Sequence, residues 1–213
     1  VRIDGDVIRS GDEYLLSIRG IDYHRKRAFE TSVKGPDPKA LIHSAAIDIA
    51  RFVDPYVVAS YYYETTRAAG GTDFADTLRE LRNCEAAVPR EELHWVHNLR
   101  GLVEFHSGRP DAAIASYRKA LAARPDFALA LHNWGNALAA KKDYEAAIAK
   151  FREVVDGDPT GPRAAPAYTQ WAAALIALDR DARALEILAK ARAVDEHYAD
   201  LYNVWGVLLR RQG

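Results

Sequence analysis

A fixed interval of 34 residues limits the folds open to this chain more than any other feature. Gly101, Ala113, Tyr117, Ala120 and Pro125 each stand 34 residues before Gly135, Ala147, Phe151, Val154 and Pro159. Within residues 128–161, Leu131, Trp134, Gly135 and Leu138 recur at three- and four-residue steps. Beyond a polar break at Lys141, Lys142 and Asp143, the residues Tyr144, Ala147, Ile148, Phe151 and Val154 do the same. Such steps put apolar residues on one face of a helix, so the segment is predicted to be two short helices joined by a tight turn. Gly135 and Ala147 are small where the helices would cross, and Pro159 ends the unit because proline cannot continue a helix. A lone hairpin of this kind cannot bury all its apolar surface, so copies must stack.

Further copies are present. Trp171, Leu175, Ala184, Leu188 and Ala191 repeat the pattern after a three-residue insertion, since Ala184 is 37 residues beyond Ala147. Tyr202, Trp205, Gly206 and Leu209 then follow Tyr168, Trp171, Ala172 and Leu175 by 34. Over His94 to Gly213 the chain resembles the tetratricopeptide repeat (TPR) family, whose unit is a 34-residue helix-turn-helix with a W-x-x-L-G-x-x-Y, A-x-x-x-F, A, P pattern. Two departures stand out. Tryptophan precedes the small residue where leucine is usual, at Trp134, Trp171 and Trp205, and Glu196 replaces the closing proline of its unit. The resemblance implies a mainly α fold, a right-handed TPR-type α-solenoid, with Trp134, Trp171 and Trp205 expected to be buried between helices.

The stretch before the repeats has another period. Val1, Ile3 and Val7, then Tyr14, Leu16 and Ile18, then Phe29, Thr31 and Val33 alternate with polar residues, the signature of three short strands. Ser10, Gly11 and Asp12 make the first turn and the polar cluster from Asp22 to Lys26 the second, so an antiparallel meander is expected. Asp37 and Pro38 start a helix whose stripe of Leu41, Ala45, Ile49 and Phe52 would cover one sheet face. This opening looks like the small sheet-and-helix modules that precede TPR arrays in some bacterial envelope proteins. Asp54 and Pro55 then break the chain, and Gly70 and Gly71 end the next helical run. Asp73 can cap a helix in which Phe74, Thr77, Leu81 and Cys84 keep the spacing of Tyr144, Ala147, Phe151 and Val154. The predicted organisation is an α+β module over 1–55 (a three-stranded antiparallel sheet plus helix) and a solenoid over 56–213. The solenoid divides into a degenerate repeat at 58–93, repeats at 94–127, 128–161 and 165–198, and a truncated one at 199–213.

Composition narrows the function. Among 213 residues, 49% are apolar and 28% charged, which describes a folded chain and not a disordered one. Twenty-nine basic against thirty acidic residues leave a net charge of -1, without the basic field that draws nucleic acid or anionic membrane. A single cysteine, Cys84, excludes an internal disulfide framework, and no apolar run approaches the ~18 residues of a membrane span. The chain starts at Val1, has no methionine and stops at Gly213 in what should be a hairpin turn, so it reads as a piece of a longer polypeptide whose compartment is not legible.

Candidate catalytic or metal-binding residues have plainer readings. His94 and His97 lie three apart near Glu91, Glu104 and His106, but the His-Glu-x-x-His arrangement is absent, and in repeat register His97 matches Leu131, a packing position. Cys84 falls where Ala120, Val154 and Ala191 fall, on the buried face. Gly70, Gly71 and Thr72 lack the spacing and lysine of a phosphate loop. Tyr61 to Tyr63 have no basic groove beside them and read as packing, not as a platform for bases. No nucleophile, base and orienter can be assembled, so the chain is expected to be neither an enzyme nor dependent on a cofactor or metal.

The resemblance implies that the first helix of each hairpin lines a groove, and that its residues outside the packing pattern meet a partner. These are Tyr62 and Thr66; Trp95, Asn98, Leu102 and Phe105; His132, Asn133 and Asn136; Thr169, Gln170 and Ala173; and Asn203, Val207 and Arg210. Primary amides donate and accept together, which suits holding an extended peptide backbone. Trp95, Asn98, Phe105, His132, Asn133, Asn136, Gln170 and Asn203 are the predicted partner-binding set. The lysine and arginine set of the TPR proteins that clamp a terminal carboxylate is missing. The function expected is an adaptor or scaffold holding a protein or peptide segment of unidentified sequence, with no nucleic acid and no membrane insertion. The alternative is a structural, self-associating module of a larger protein, forming a homodimer through the apolar terminal helix of Tyr202, Val204, Trp205, Leu208 and Leu209.

Overall fold

A computed structural model describes residues 2–22 and 27–212, which divide into two compact units, Val1–Ala87 and Val88–Gly213. In the first, strands β1 (Arg2–Ser10), β2 (Glu13–Asp22) and β3 (Arg27–Gly35) form an antiparallel sheet in sequential order. Ser10 pairs with Glu13, so Gly11 and Asp12 alone make the first turn, and Gly11 takes the positive φ of 65° that such a two-residue hairpin requires. The turn expected at Asp22 to Lys26 lies, from Tyr23 to Lys26, outside the described residues.

Helix α1 (Pro38–Val53) begins as its sequence dictates, with the Asp37 carboxylate accepting from the Lys39 N–H and Pro38 in the first turn. Leu41 and Ala45 are buried against Leu16 and Ile18, Ile49 packs on the same cluster, and Phe52 stacks on Phe29 with centroids 4.5 Å apart. The helix lies over β2 and β3 only, and β1 is exposed along its length. Asp54 both ends α1, its N–H donating to Ala50 O, and caps α2 (Pro55–Ala68), its carboxylate accepting from Tyr56 N–H. Helix α3 (Ala75–Ala87), capped by Asp73, packs on α2 through Tyr63, Phe74 and Leu81.

One polar network ties this unit together. Arg51 of α1 makes two parallel bonds of 3.0 Å to the Glu80 carboxylate of α3 and one of 2.7 Å to Asp48, which accepts from Thr31 of β3. Asn83 donates to Glu80 at 3.1 Å. Glu80 is 1% exposed. Burial alone would push its carboxyl up, but the bonds from Arg51 and Asn83 and the charges of Arg51 and Arg79 outweigh that and hold it below the usual range. Cys84 is buried on α3, and burial, with the Asp54 and Glu80 carboxylates, pushes its thiol up to about 12, which leaves it inert as a nucleophile.

The second unit is the helical stack. It consists of α4 (Leu93–His106) with α5 (Pro110–Ala123), α6 (Ala128–Ala140) with α7 (Tyr144–Gly157), α8 (Ala164–Ala177) with α9 (Asp181–Val194), and α10 (Ala199–Gln212). Two of the three inserted residues lengthen the connection between α7 and α8 (158–163, against 124–127 between α5 and α6), and the third lengthens α8 by one over α6. Gly135 is needed because a Cβ there would lie 2.5 Å from the Phe151 ring, and Gly101 meets Tyr117 in the same way. In the third hairpin both partners change: Ala172 and Leu188 replace glycine and aromatic ring, and both are fully buried. Each hairpin turn holds one left-handed residue, Gly108, Lys142 and Asp179, at φ of 74°, 65° and 57°. The next N–H in each case, from Arg109, Asp143 and Arg180, returns to the carbonyl of Glu104, Leu138 and Leu175, closing the helix end as a Schellman motif does.

The tryptophans are a departure from expectation. Trp134, Trp171 and Trp205 join the apolar clusters but are half-buried, because each turns part of its ring toward a cation. Arg118, Arg152 and Arg192 stand 5.1, 5.9 and 5.4 Å from the respective ring centres. Indole faces are electron-rich and take a basic neighbour where an aliphatic side chain would demand burial.

Candidate functional site

Helices α4, α6, α8 and α10 lie side by side, so their outward residues share one face of the second unit. Trp95 is 40% exposed, its ring edge-to-face with Phe127 at 4.8 Å. Phe105 is half-buried on the cluster of Ala113, Ile114, Tyr117 and Ala137. His132 is half-buried beside Phe151, and burial, aided by the Arg163 charge, pushes its imidazole down to about 4, so it is neutral at pH 7. Its Nδ1 is enclosed without a hydrogen-bond partner among the described residues.

The amides divide into two groups. Asn98 and Asn133, 1% and 8% exposed, face each other, and the Asn133 amide N–H donates to Asn98 Oδ1 at 2.9 Å. This pair bridges α4 to α6 beneath the surface. Asn136 and Gln170 are half-buried with no hydrogen-bond partner among the described residues, and Asn203 is exposed with a long 3.5 Å bond to Asp200. Thr169 is fully buried and bonds back to the Ala165 carbonyl, while Val207 and Arg210 are exposed. Tyr62 and Thr66 belong to the first unit, where Tyr62 meets Tyr61 edge-on. The Asn98–Asn133 bridge escaped sequence reasoning because the repeat places Asn98 opposite His132, one position short of its real partner.

Helices α6 and α8 carry no lysine or arginine, α4 carries one, the half-buried Arg100, and the reactive groups nearby are muted. His94 donates through Nδ1–H to the Glu91 carbonyl at 2.6 Å, and among the described residues no three His, Cys, Asp or Glu side chains converge as metal ligands. No helix among the described residues is long and apolar enough to cross a membrane. The chemistry on offer is hydrogen bonding by neutral amides beside an exposed indole.

Residues 98–162 match the family model of the tetratricopeptide repeat. No curated protein matches the chain. Among solved structures, PilF of Pseudomonas aeruginosa is similar at 21% identity and a TM-score of 0.64, over 78% of this chain and 71% of that one. The first TPR of Spaghetti (RPAP3), bound to an HSP90 peptide, aligns at 20% identity and 0.52, over 57% and 94%. The TPR2B domain of yeast Sti1, in its pHsp70 complex, aligns at 24% and 0.51, over 57% and 98%.

Proposed function

We propose that this chain, a tetratricopeptide-repeat protein, is an adaptor that holds an extended segment of a partner protein along the face of α4, α6, α8 and α10. The observation that carries the reading is the pair of half-buried amides on Asn136 and Gln170, which have no hydrogen-bond partner among the described residues. Trp95 and Asn203 extend the contact surface to either side, whereas the Asn98–Asn133 bridge, Phe105 and His132 shape it from below. Support also comes from the similar RPAP3 and Sti1 domains, which are seen with chaperone peptides. The amides here favour a peptide bound through its backbone, since a C=O and an N–H can both be met by one carboxamide. Screening extended peptides against the chain and against Asn136→Ala/Gln170→Ala tests the idea. Binders should weaken by roughly 1 to 3 kcal/mol, and equal affinity for both proteins would overturn the placement.

A second reading rests on α10. Tyr202 and Leu209, 51% and 57% exposed and seven residues apart on one side of the helix, make an apolar pair that two copies could share about a two-fold axis. In that case the repeats serve self-association and the peptide face stays empty.

A further inference from the structure

The stacked hairpins also leave a cleft on the side away from the peptide face, between α7 and α9, of about 370 Å³. Its floor is apolar: Ile148, Leu175 and Ile187 are buried, and Trp171 closes the bottom. Its rim is basic. Arg180 is engaged by Glu145 at 2.5 Å, but Arg152, Arg183 and Lys190 form no ion pair among the described residues, and Glu186 is the one acidic rim residue left to offset them.

The preceding junction carries different side chains at the equivalent positions. There Lys150 lies 4.4 Å from the Trp134 ring centre and pairs with Glu153 at 2.6 Å, while Arg118 covers the same indole. Ile187 and Lys190 stand 37 residues after Lys150 and Glu153, and Arg183 stands 37 after Ala146. The exchange removes the lysine that capped the indole, replaces the acid that neutralised it with a base, and adds an arginine. All three exchanges change the charge, one positive lost, one acid turned to a base and one positive gained, so the rim is left net positive.

We propose that this cleft binds an acidic peptide segment in which carboxylates flank an apolar side chain. The apolar group would rest between Ile148 and Ile187 beside the Trp171 ring, whose other neighbour is the Arg152 guanidinium at 5.9 Å, and the carboxylates would meet Arg152, Arg183 and Lys190. Arginine's planar fork takes a carboxylate through two bonds, which gives orientation as well as charge. This site is separate from the neutral amide face, so the chain would present two surfaces of opposite preference.

The test uses the chain with a fluorescein-labelled, acetylated Glu-Glu-Leu-Glu-Glu peptide and fluorescence anisotropy. Saturable binding that weakens with added salt is expected, with clear loss when the probe is Gln-Gln-Leu-Gln-Gln or Glu-Glu-Ser-Glu-Glu. Arg183→Glu/Lys190→Glu should lower affinity about tenfold or more, with the circular-dichroism melt unchanged because both side chains are exposed. Ile187→Lys/Lys190→Glu, which recreates the arrangement of the preceding junction, should abolish binding, and Asn136→Ala should not affect it. Absence of binding at low salt, or binding that survives Arg183→Glu/Lys190→Glu, overturns the proposal. So does binding in which the serine probe, or a single-stranded oligonucleotide, equals the leucine peptide, since that would be simple anion attraction.

Discussion

Removing Arg51 should uncouple α3 from the sheet and its covering helix. Arg51→Met deletes the guanidinium that makes both 3.0 Å bonds to Glu80, leaving a carboxylate 1% exposed with Asn83 at 3.1 Å and Arg79 at 3.6 Å. Deleting one partner of a buried pair costs roughly 3 to 5 kcal/mol, because the other charge stays buried. Arg79 is half exposed and can turn inward, which places the expectation near the lower end, about 3 kcal/mol. The reasoning has a signature beyond that loss. Arg51→Met/Glu80→Met removes the stranded charge and should be more stable than Arg51→Met alone, since an apolar pair of similar volume often replaces a buried ion pair at little cost. Hydrogen exchange read by mass spectrometry localises the effect: peptides from α1 and α3 should exchange roughly 10²-fold faster in Arg51→Met, with α6 and α7 as internal controls. A single variant that exchanges like the parent, or a double variant no better than the single, would refute the argument. The pH dependence has a fixed sign. Glu80 is held below its ordinary value, so its contribution is complete above the unfolded pKa and is lost as pH falls through the folded one.

The remaining expectations are smaller. Asn133→Ala strips the donor from the buried Asn98 oxygen and should cost roughly 1 to 3 kcal/mol in urea unfolding, whereas Asn136→Ala should stay within about 0.5 kcal/mol. Lys142→Gly relieves a left-handed side chain at φ 65° and should raise stability by roughly 1 kcal/mol; a lower melting point would show that the lysine stem contributes more than its strain. His132 is depressed to about 4 by burial, so stability linked to it is complete above the unfolded value of about 6.5 and declines as pH falls toward 4, a slope that His132→Phe should remove. Light scattering at rising concentration tests the second reading of α10: Leu209→Glu should shift any dimer to monomer, and a parent that is monomeric throughout would discard that reading.

The helices and strands were legible because each rests on short-range chemistry. Asp37-Pro38 and Asp54-Pro55 state where helices begin, alternation in 1–33 states which face of the sheet is covered, and the 34-residue interval fixes which side chains meet inside a hairpin. What could not be read depends on contacts between elements that the period does not pair. Glu80 looks like a surface helix residue until Arg51 reaches it from α1, 29 positions away. Asn98 and Asn133 look like two exposed amides, and the structure instead turns these two of the eight expected contact residues toward each other. The tryptophans were expected to be enclosed, and only the placement of a basic residue from the neighbouring helix shows why half-burial suffices.

The paired exchange of Gly135 and Phe151 for Ala172 and Leu188 sets a rule for recombining this array. A chimera that joined α8 to α7 would drive the Ala172 methyl into the Phe151 ring, and one that joined α6 to α9 would leave the space of a methyl and part of a ring empty between Gly135 and Leu188. Neither helix is a transferable part. Whole hairpins, cut in the connections at 124–127, 158–163 and 195–198, carry both halves of this compensation with them, whereas the Asn98–Asn133 bond and the arginine–tryptophan contacts cross the cuts and must be rebuilt at each new junction.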